Sequence, residues 1–260
     1  MSKCCLVHSF RSASETTVSS IFAAVRICIW LTIVVQPITV QCQVFDVSTV
    51  AGSGAITVWT PGTGSGAGFG VINALACSSS NEVYIAGGNC VMRLSPPNVV
   101  SRFKCDASWL TLYGIAMGPS ETYAIVADAG QHALFKVILS TTAVSTYAGI
   151  PGARGETTTN TNAALAYFNE PKHVAYDSGK TKLYVCDNGN YRIQLITVAT
   201  NVVSPFVGTG AQAVNTYFDG PNADATIRNA TGIAVHSNGD VYWLSACLWP
   251  SPSLWMSASL

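Results

Sequence analysis

Charge is scarce in this chain. Only 10% of its 260 residues are charged, against about 25% in a typical soluble domain. The 13 basic side chains are matched by 13 acidic ones, and no run of lysines or arginines occurs. That excludes the electrostatic footprint of a nucleic-acid binder and of a protein held on anionic lipid by a polybasic patch. Histidine is sparse, with four residues, and no two cysteines stand at C-x-x-C spacing, so the common structural zinc frameworks are excluded. Gly-x-Ser-x-Gly, a phosphate loop and His-Glu-x-x-His are missing, and with them the chemistries those motifs carry. "GTGSGAGFG" (62–70) lacks the flanking strand and helix of a nucleotide site and reads as a connecting loop. Beyond residue 43 no segment sustains a 3.6-residue period, which excludes substantial helix.

What is present is apolar. At 49% hydrophobic content the chain can fill a sizeable core. Lys3, Arg11 and Arg26 precede the apolar run "ICIWLTIVV" (27–35), and "VQC" (40–42) has the small-residue character of a signal-peptidase site. Residues 1–42 are therefore expected to be a signal peptide with the mature start near Gln43, or an uncleaved signal anchor; the apolar run is short for a membrane span. The expected location is the secretory pathway, secreted or tethered at the cell surface, with membrane contact only through such an anchor. Of nine cysteines, five lie beyond this leader, an odd number for an oxidising compartment.

The chain also repeats itself. "VSTVAG" (47–52) recurs as "VSTYAG" (144–149) and, 59 residues later, as "VSPFVG" (203–208). "AIVADAGQHALFKVI" (124–138) recurs 59 residues on around "LYVCDNGNYRIQLI" (183–196), with Asp128 at the place of Asp187. Weaker copies are "VYIAGGNCVMRL" (83–94) and "VYWLSA" (241–246). A further apolar tetrad precedes each: "VINA" (71–74), "GIAM" (114–117), "HVAY" (173–176) and "GIAV" (232–235). Short runs rich in Val, Ile and Tyr between Gly, Asn, Asp and Ser clusters are strands joined by tight turns. Four such strands per unit in tandem predict an all-β chain, a β-propeller of four-stranded blades near 71–105, 114–149, 173–208 and 232–246 within a domain spanning 43–246. Blades packed on both faces explain why the strands are continuously apolar. About four blades are recognisable and the last is incomplete. The tail 247–260, with Pro250 and Pro252, reads as no central strand, and 47–52 as a strand that completes the last blade.

"FNEPKHVAYD" (168–177), "YVCDNGNYRI" (184–193) and the closing "VSPFVG" closely resemble the NHL repeat, whose units read roughly Phe-x-x-Pro, an apolar strand, Tyr-Val-x-Asp-x-x-Asn-x-Arg-Ile and a final Gly. The resemblance runs from about 47 to 246. It weakens in the first unit, where Gly87 replaces the aspartate, and in the second, where Ala133 replaces the arginine. Physically the signature Asp128, Asp187, Gly189, Asn190 and Arg192 is structural. Asp187 is placed to accept backbone N–H groups of the following turn, Gly189 to supply a positive φ, and Arg192 to lay its stem on a neighbouring blade while its guanidinium meets a carboxylate or carbonyl.

His132, His173 and His236 come from separate units and invite a metal site like that of the peptide-amidating lyases built on similar repeats. Their places in the repeat do not converge, so no metal or other cofactor is expected. Non-enzymatic binding or scaffolding of a protein, peptide or glycan is the leading expectation. A propeller-type lyase or hydrolase, or a nonfunctional fragment of a longer NHL protein, are the competing readings. The long connections 53–70, 150–170 and 209–231 all lead from an outer to the next inner strand and should share one face of the disk. They carry the candidate ligand-binding residues Trp59, Arg154, Glu156, Tyr167, Tyr217, Asp219 and Arg228; the bland alternative is that Phe168, Phe218 and Ile227 merely plug blade junctions. "SPPN" (95–98) should turn one strand into the next and bring Cys90 opposite Cys105, a disulfide for which Cys77 is the rival partner. Asn229 in "NAT" is the expected glycosylation acceptor.

Overall fold

A computed structural model describes residues 7–12, 45–53, 59–210, 225–245 and 255–258. The first strands, β1 (Val7–Ser12) and β2 (Phe45–Ala51), form an antiparallel pair. The two-residue β3 (Gly62–Thr63) precedes the first large sheet, sheet I: β4 (Ala74–Cys77), β5 (Val83–Gly87), β6 (Cys90–Ser95) and β7 (Val99–Cys105). Sheet II holds β8 (Leu112–Met117), β9 (Tyr123–Asp128), β10 (Ala133–Ile138) and β11 (Val144–Ala148). The short β12 (Thr161–Asn162) leads into sheet III: β13 (Pro171–Tyr176), β14 (Lys182–Asp187), β15 (Arg192–Thr197) and β16 (Val202–Val207). Sheet IV comprises β17 (Ala230–Val235), β18 (Val241–Ser245) and β19 (Trp255–Ala258). The chain is thus all-β, built from several antiparallel sheets in which sequential strands are neighbours, and no α-helix occurs among the described residues.

The inner strands stand side by side in sequence, β4 by β8, β8 by β13 and β13 by β17. Their approach is close enough to dictate composition: a Cβ on Gly114 would lie 2.3 Å from the Lys172 carbonyl oxygen. Alternation along the second strand of each sheet then sends neighbouring residues into different interfaces. Tyr84 and Ala86 pack toward sheet II, meeting Leu112, Ile115 and Val126. Ile125 and Ala127 face sheet III, meeting Val174, Leu183 and Val185. Tyr184 and Cys186 face sheet IV, meeting Ile233, Val241 and Trp243. Ile85, on the opposite side of sheet I, packs with Met92, Leu94 and Val100 against Ala51, Ala67 and Phe69. Burial on both faces is the physical reason these strands are apolar without interruption. The pairing register repeats as well: Ala76, Ala116, Ala175 and Ala234 stand opposite Tyr84, Ile125, Tyr184 and Tyr242.

Two features differ from the sequence expectation. Sheet IV does not stop at residue 246, because β19, in the tail beyond both prolines, pairs with β18. A proline forbids ladder pairing only at its own nitrogen, so Pro250 and Pro252 exclude their own positions and leave 255–258 free to pair. The strand expected to complete the last blade, 47–52, pairs instead with β1, whose residues lie inside the expected leader. The apolar run 27–35 and the proposed cleavage point at 42 lie outside the described residues. No helix among the described residues is long and apolar enough to cross a membrane.

Cys90 and Cys105 are joined by a disulfide and stand opposite each other in the hairpin of β6 and β7, with Cα atoms 4.1 Å apart. Of the remaining described cysteines, Cys77 is an exposed thiol and Cys186 a buried one.

Candidate functional site: one face of connections and hairpin turns

In sheets II and III the turn between the second and third strands meets the connection that enters the sheet, and two buried carboxylates organise these meetings. Asp128 accepts four backbone N–H groups, from Leu110 and Thr111 in the connection and from Gly130 and Gln131 in the turn, at 2.9–3.1 Å. Asp187 works differently from the expectation. It reaches back to the Asn169 N–H (2.8 Å), and the following turn contributes the side chain of Asn190 (2.8 Å) rather than backbone donors. Burial pushes its pKa up to about 7, although these hydrogen bonds, Gln194 and the nearby Arg192 charge oppose the rise. Gly189 also has another purpose than a positive φ. The left-handed residue is Tyr191 (φ 51°), matched by His132 (φ 55°) in sheet II, whereas a Cβ on Gly189 would sit 2.4 Å from the Asn169 side chain.

Arg192 is buried and spans the junction. It donates to the Thr157 carbonyl (3.4 Å) and is ion-paired with Glu156. Asn190 adds a bond to the Gly155 carbonyl (2.7 Å), and Thr157 exchanges hydrogen bonds with the Tyr167 backbone. Gly152 N–H donates to the Gln131 carbonyl, Glu170 N–H to His132 Nδ1, and Asn188 Nδ2 to the Ala230 carbonyl. Segments 108–111, 128–132, 150–157, 167–170 and 187–190, with Ala230 beyond, are therefore stitched into one continuous face.

The sequence candidates divide on this face. Arg154 and Tyr167 are exposed. Glu156 is committed to Arg192, and Trp59 is partly buried, edge-on to Phe69 with ring centroids 6.0 Å apart. Arg228 is half-buried, as is Asn229, the expected glycosylation acceptor. Tyr217, Asp219 and Phe218 lie outside the described residues. Phe168 and Ile227 are fully buried, as junction plugs should be, and Phe69 holds the matching place in the first connection. Each of these three follows a buried alanine two positions earlier, Ala67, Ala166 or Ala225. That Ala-x-(Phe/Ile) recurrence was readable in the sequence and marks the connections as anchored. Sequence reasoning missed Leu110, which is 57% exposed, and Tyr113, whose ring lies 5.3 Å from the Lys172 ammonium on the adjacent inner strand.

The histidines serve separate local roles. His132 receives Glu170 N–H, His173 receives Ile233 N–H at 3.4 Å, and His236 bonds Asn238 two residues on. Burial holds the His173 pKa below its ordinary value. No three His, Cys, Asp or Glu side chains come together among the described residues.

At the opposite end of the strands a cleft of 390 Å³ lies between sheets I and II, lined by Glu82, Arg93, Glu121 and several serines. Its carboxylates are already engaged: Glu82 accepts from Tyr84 and Ser95 (both 3.0 Å) and faces Arg93, while Glu121 accepts from the Ser79 N–H and hydroxyl. The cleft is a fastening between sheets.

No family model matches the chain, and no curated protein matches it. Solved structures do. A protein of unknown function from Bacteroides thetaiotaomicron aligns at TM-score 0.58 and 16% identity over 66% of this chain and 44% of its own. An auxiliary nutrient binding protein from the same organism aligns at 0.56 and 16% over 76% and 47%. An auxiliary nutrient binding protein from Bacteroides ovatus aligns at 0.53 and 14% over 68% and 46%. This chain therefore spans less than half the length of each, and at such identities the likeness is one of fold alone.

Proposed function

We propose that the chain is an NHL-type β-propeller array of four blades, the last incomplete, acting as a non-enzymatic binding module of the secretory pathway, secreted or tethered by its N-terminal segment. The observation that carries this reading is the stitched face. Its buried polar groups hold connections to turns, while Leu110, Arg154 and Tyr167 are exposed on it, and on the inner strands Lys172 lies over the Tyr113 ring. Rigid aromatic and arginine anchors on a preorganised scaffold suit recognition, because little conformational freedom is lost on binding. Exposed Arg154, together with Lys172 over the Tyr113 ring, favours a protein or peptide ligand carrying an acidic group, with an acidic glycan as the alternative. The Cys90–Cys105 disulfide supports an oxidising compartment.

The test is selection of ligands from a displayed random-peptide library and from a glycan array with the full chain. The triple variant Leu110→Ala, Arg154→Ala, Tyr167→Ala should lose the selected ligands at unchanged thermal stability. Retention by that variant, or no selection from either collection, would overturn the assignment of this face. N-terminal sequencing of the expressed protein should find Gln43 or a close neighbour if the leader is cleaved, and the intact leader at the cell surface if it anchors; a cytosolic chain retaining Met1 would refute export.

A further inference from the structure

Sheets I and III have their outer edges covered. β3 pairs with β7 at Val99 and Val100, and β12 pairs with β16 at Val202 and Val203. Each cover comes from the long connection that enters its sheet. The connection entering sheet II runs only from 106 to 111, and among the described residues no strand pairs with the outer edge of β11. Pairing with the third strand makes Val144 the equivalent of Val100 and Val203. Those two are 1% and 0% exposed, whereas Val144 is half-buried. Two residues on, Thr146 stands opposite Phe135 as Arg102 stands opposite Met92 and Pro205 opposite Gln194. Arg102 puts a charge on the edge of sheet I and reaches the Trp59 carbonyl (3.4 Å), while Pro205 has no N–H to offer at the edge of sheet III. Charge and proline are two ways in which sheets keep an edge from pairing. Thr146 supplies neither, and no charged residue lies between 139 and 153.

The backbone of β11 fixes what can pair there. Ile138 N–H donates to the Ala143 carbonyl, so in the antiparallel ladder Ser145 exchanges its bonds with Lys136, while Val144 and Thr146 turn their N–H and C=O groups outward. The connection that follows meets the far end of the strand, where Gly149 N–H donates to the Ala163 carbonyl, and it leaves Ser145 and Thr146 exposed. We propose that this edge pairs with the same edge of a second copy, antiparallel about a two-fold axis at Ser145. In that register Val144 of each copy exchanges both its outward bonds with Thr146 of the other. Ser145 meets its own counterpart at a non-hydrogen-bonded position, where strands approach most closely and a small side chain fits. Val144 beside Thr146 is a β-branched cross-strand pair, and no like charges on the two edges face each other. The occupant is chosen by this self-complementarity: the outward groups are symmetric about one residue, and the edge carries no charge that would select a foreign side chain. The contact is isologous, so it closes at two chains and joins their two copies of sheet II into one continuous sheet. It lies inside the array and does not depend on the ligand of the stitched face.

Sedimentation equilibrium and peptide-level hydrogen exchange of the full chain test it. The weight-average mass should rise with concentration to that of a dimer and no further. Exchange of a peptide covering 142–148 should slow in step, while β7 and β16 stay constant. Thr146→Pro and Thr146→Arg place in β11 the residues that the equivalent position already carries in sheets III and I. Because position 146 gives no ladder bond to β10, both variants should keep the circular dichroism and thermal midpoint of the wild type and sediment as monomers. Thr146→Ser retains the outward N–H and should still dimerise. A wild-type chain that stays monomeric overturns the proposal, whether its edge is covered within the chain or serves an extended segment of another protein. Growth beyond a dimer, or dimerisation retained by either the proline or the arginine variant, overturns it as well.

Discussion

Asp187 shows what a single residue contributes and at what pH. Its carboxyl is fully buried and titrates near 7 in the folded chain, well above the usual carboxylate range, because burial penalises the charged form more than its donors and Arg192 favour it. A raised folded-state pKa means that the folded chain binds the proton more tightly. The stability this contributes is complete below the ordinary carboxylate pKa and is lost as pH climbs through about 7. Urea midpoints of the wild type should therefore fall between about pH 5 and about pH 8, and the fall should be smaller in Asp187→Asn. An equal pH dependence in both chains would show that other groups govern it. Glycine effects are equally specific. Gly189→Ala forces a Cβ to 2.4 Å from Asn169 and should cost about 1–3 kcal/mol. Gly179→Ala meets only ordinary contacts and should be nearly neutral, so chemical denaturation of the pair separates close approach from a general loss of glycine freedom.

Among elements, the hairpin of β6 and β7 closes on its own disulfide at a sequence separation of 15. The double variant Cys90→Ser, Cys105→Ser should lose about 3 kcal/mol, largely through the gain in freedom of its unfolded chain, as measured by denaturant unfolding. This hairpin was legible in the sequence because everything that makes it is local: "SPPN" turns the chain and brings the Cys90 end of β6 near the Cys105 end of β7, and a bulge between Val91 and Met92 sets the two cysteines opposite each other. The repeat was legible for the same reason, since Asp128 and Asp187 each end an apolar strand at a tight turn. The connections were less so. Their length and polarity describe open loops, yet β3 and β12 pair with the outer strands β7 and β16, and Glu156 spends its charge on Arg192. A two-residue ladder to a strand some 40 residues away leaves no periodicity to read, and an ion pair across a junction depends on how two sheets are placed. Similarly, β19 was hidden by Pro250 and Pro252, whose restriction ends before it begins.

For the whole molecule, cohesion among the described residues passes from each sheet to the next, so stability should be graded along the array. Sheets II and III each bury both faces against neighbouring sheets: Ile125, Val126, Leu183, Tyr184 and Val185 are all inaccessible. Among the described residues, sheet IV is held by Ile233, Val241 and Trp243 against sheet III, with Tyr242 and Leu244 half-covered on its other face. Opening sheet IV breaks one interface, whereas opening β9 or β14 breaks two. In dilute solution amide exchange of β18 should therefore be at least about tenfold faster than that of β9 and β14, a difference of about 1.4 kcal/mol or more in opening free energy. Peptide-level hydrogen exchange measures this directly. Equal protection of β18 and β9 in a monomeric sample would mean that the free face of sheet IV is covered within the chain.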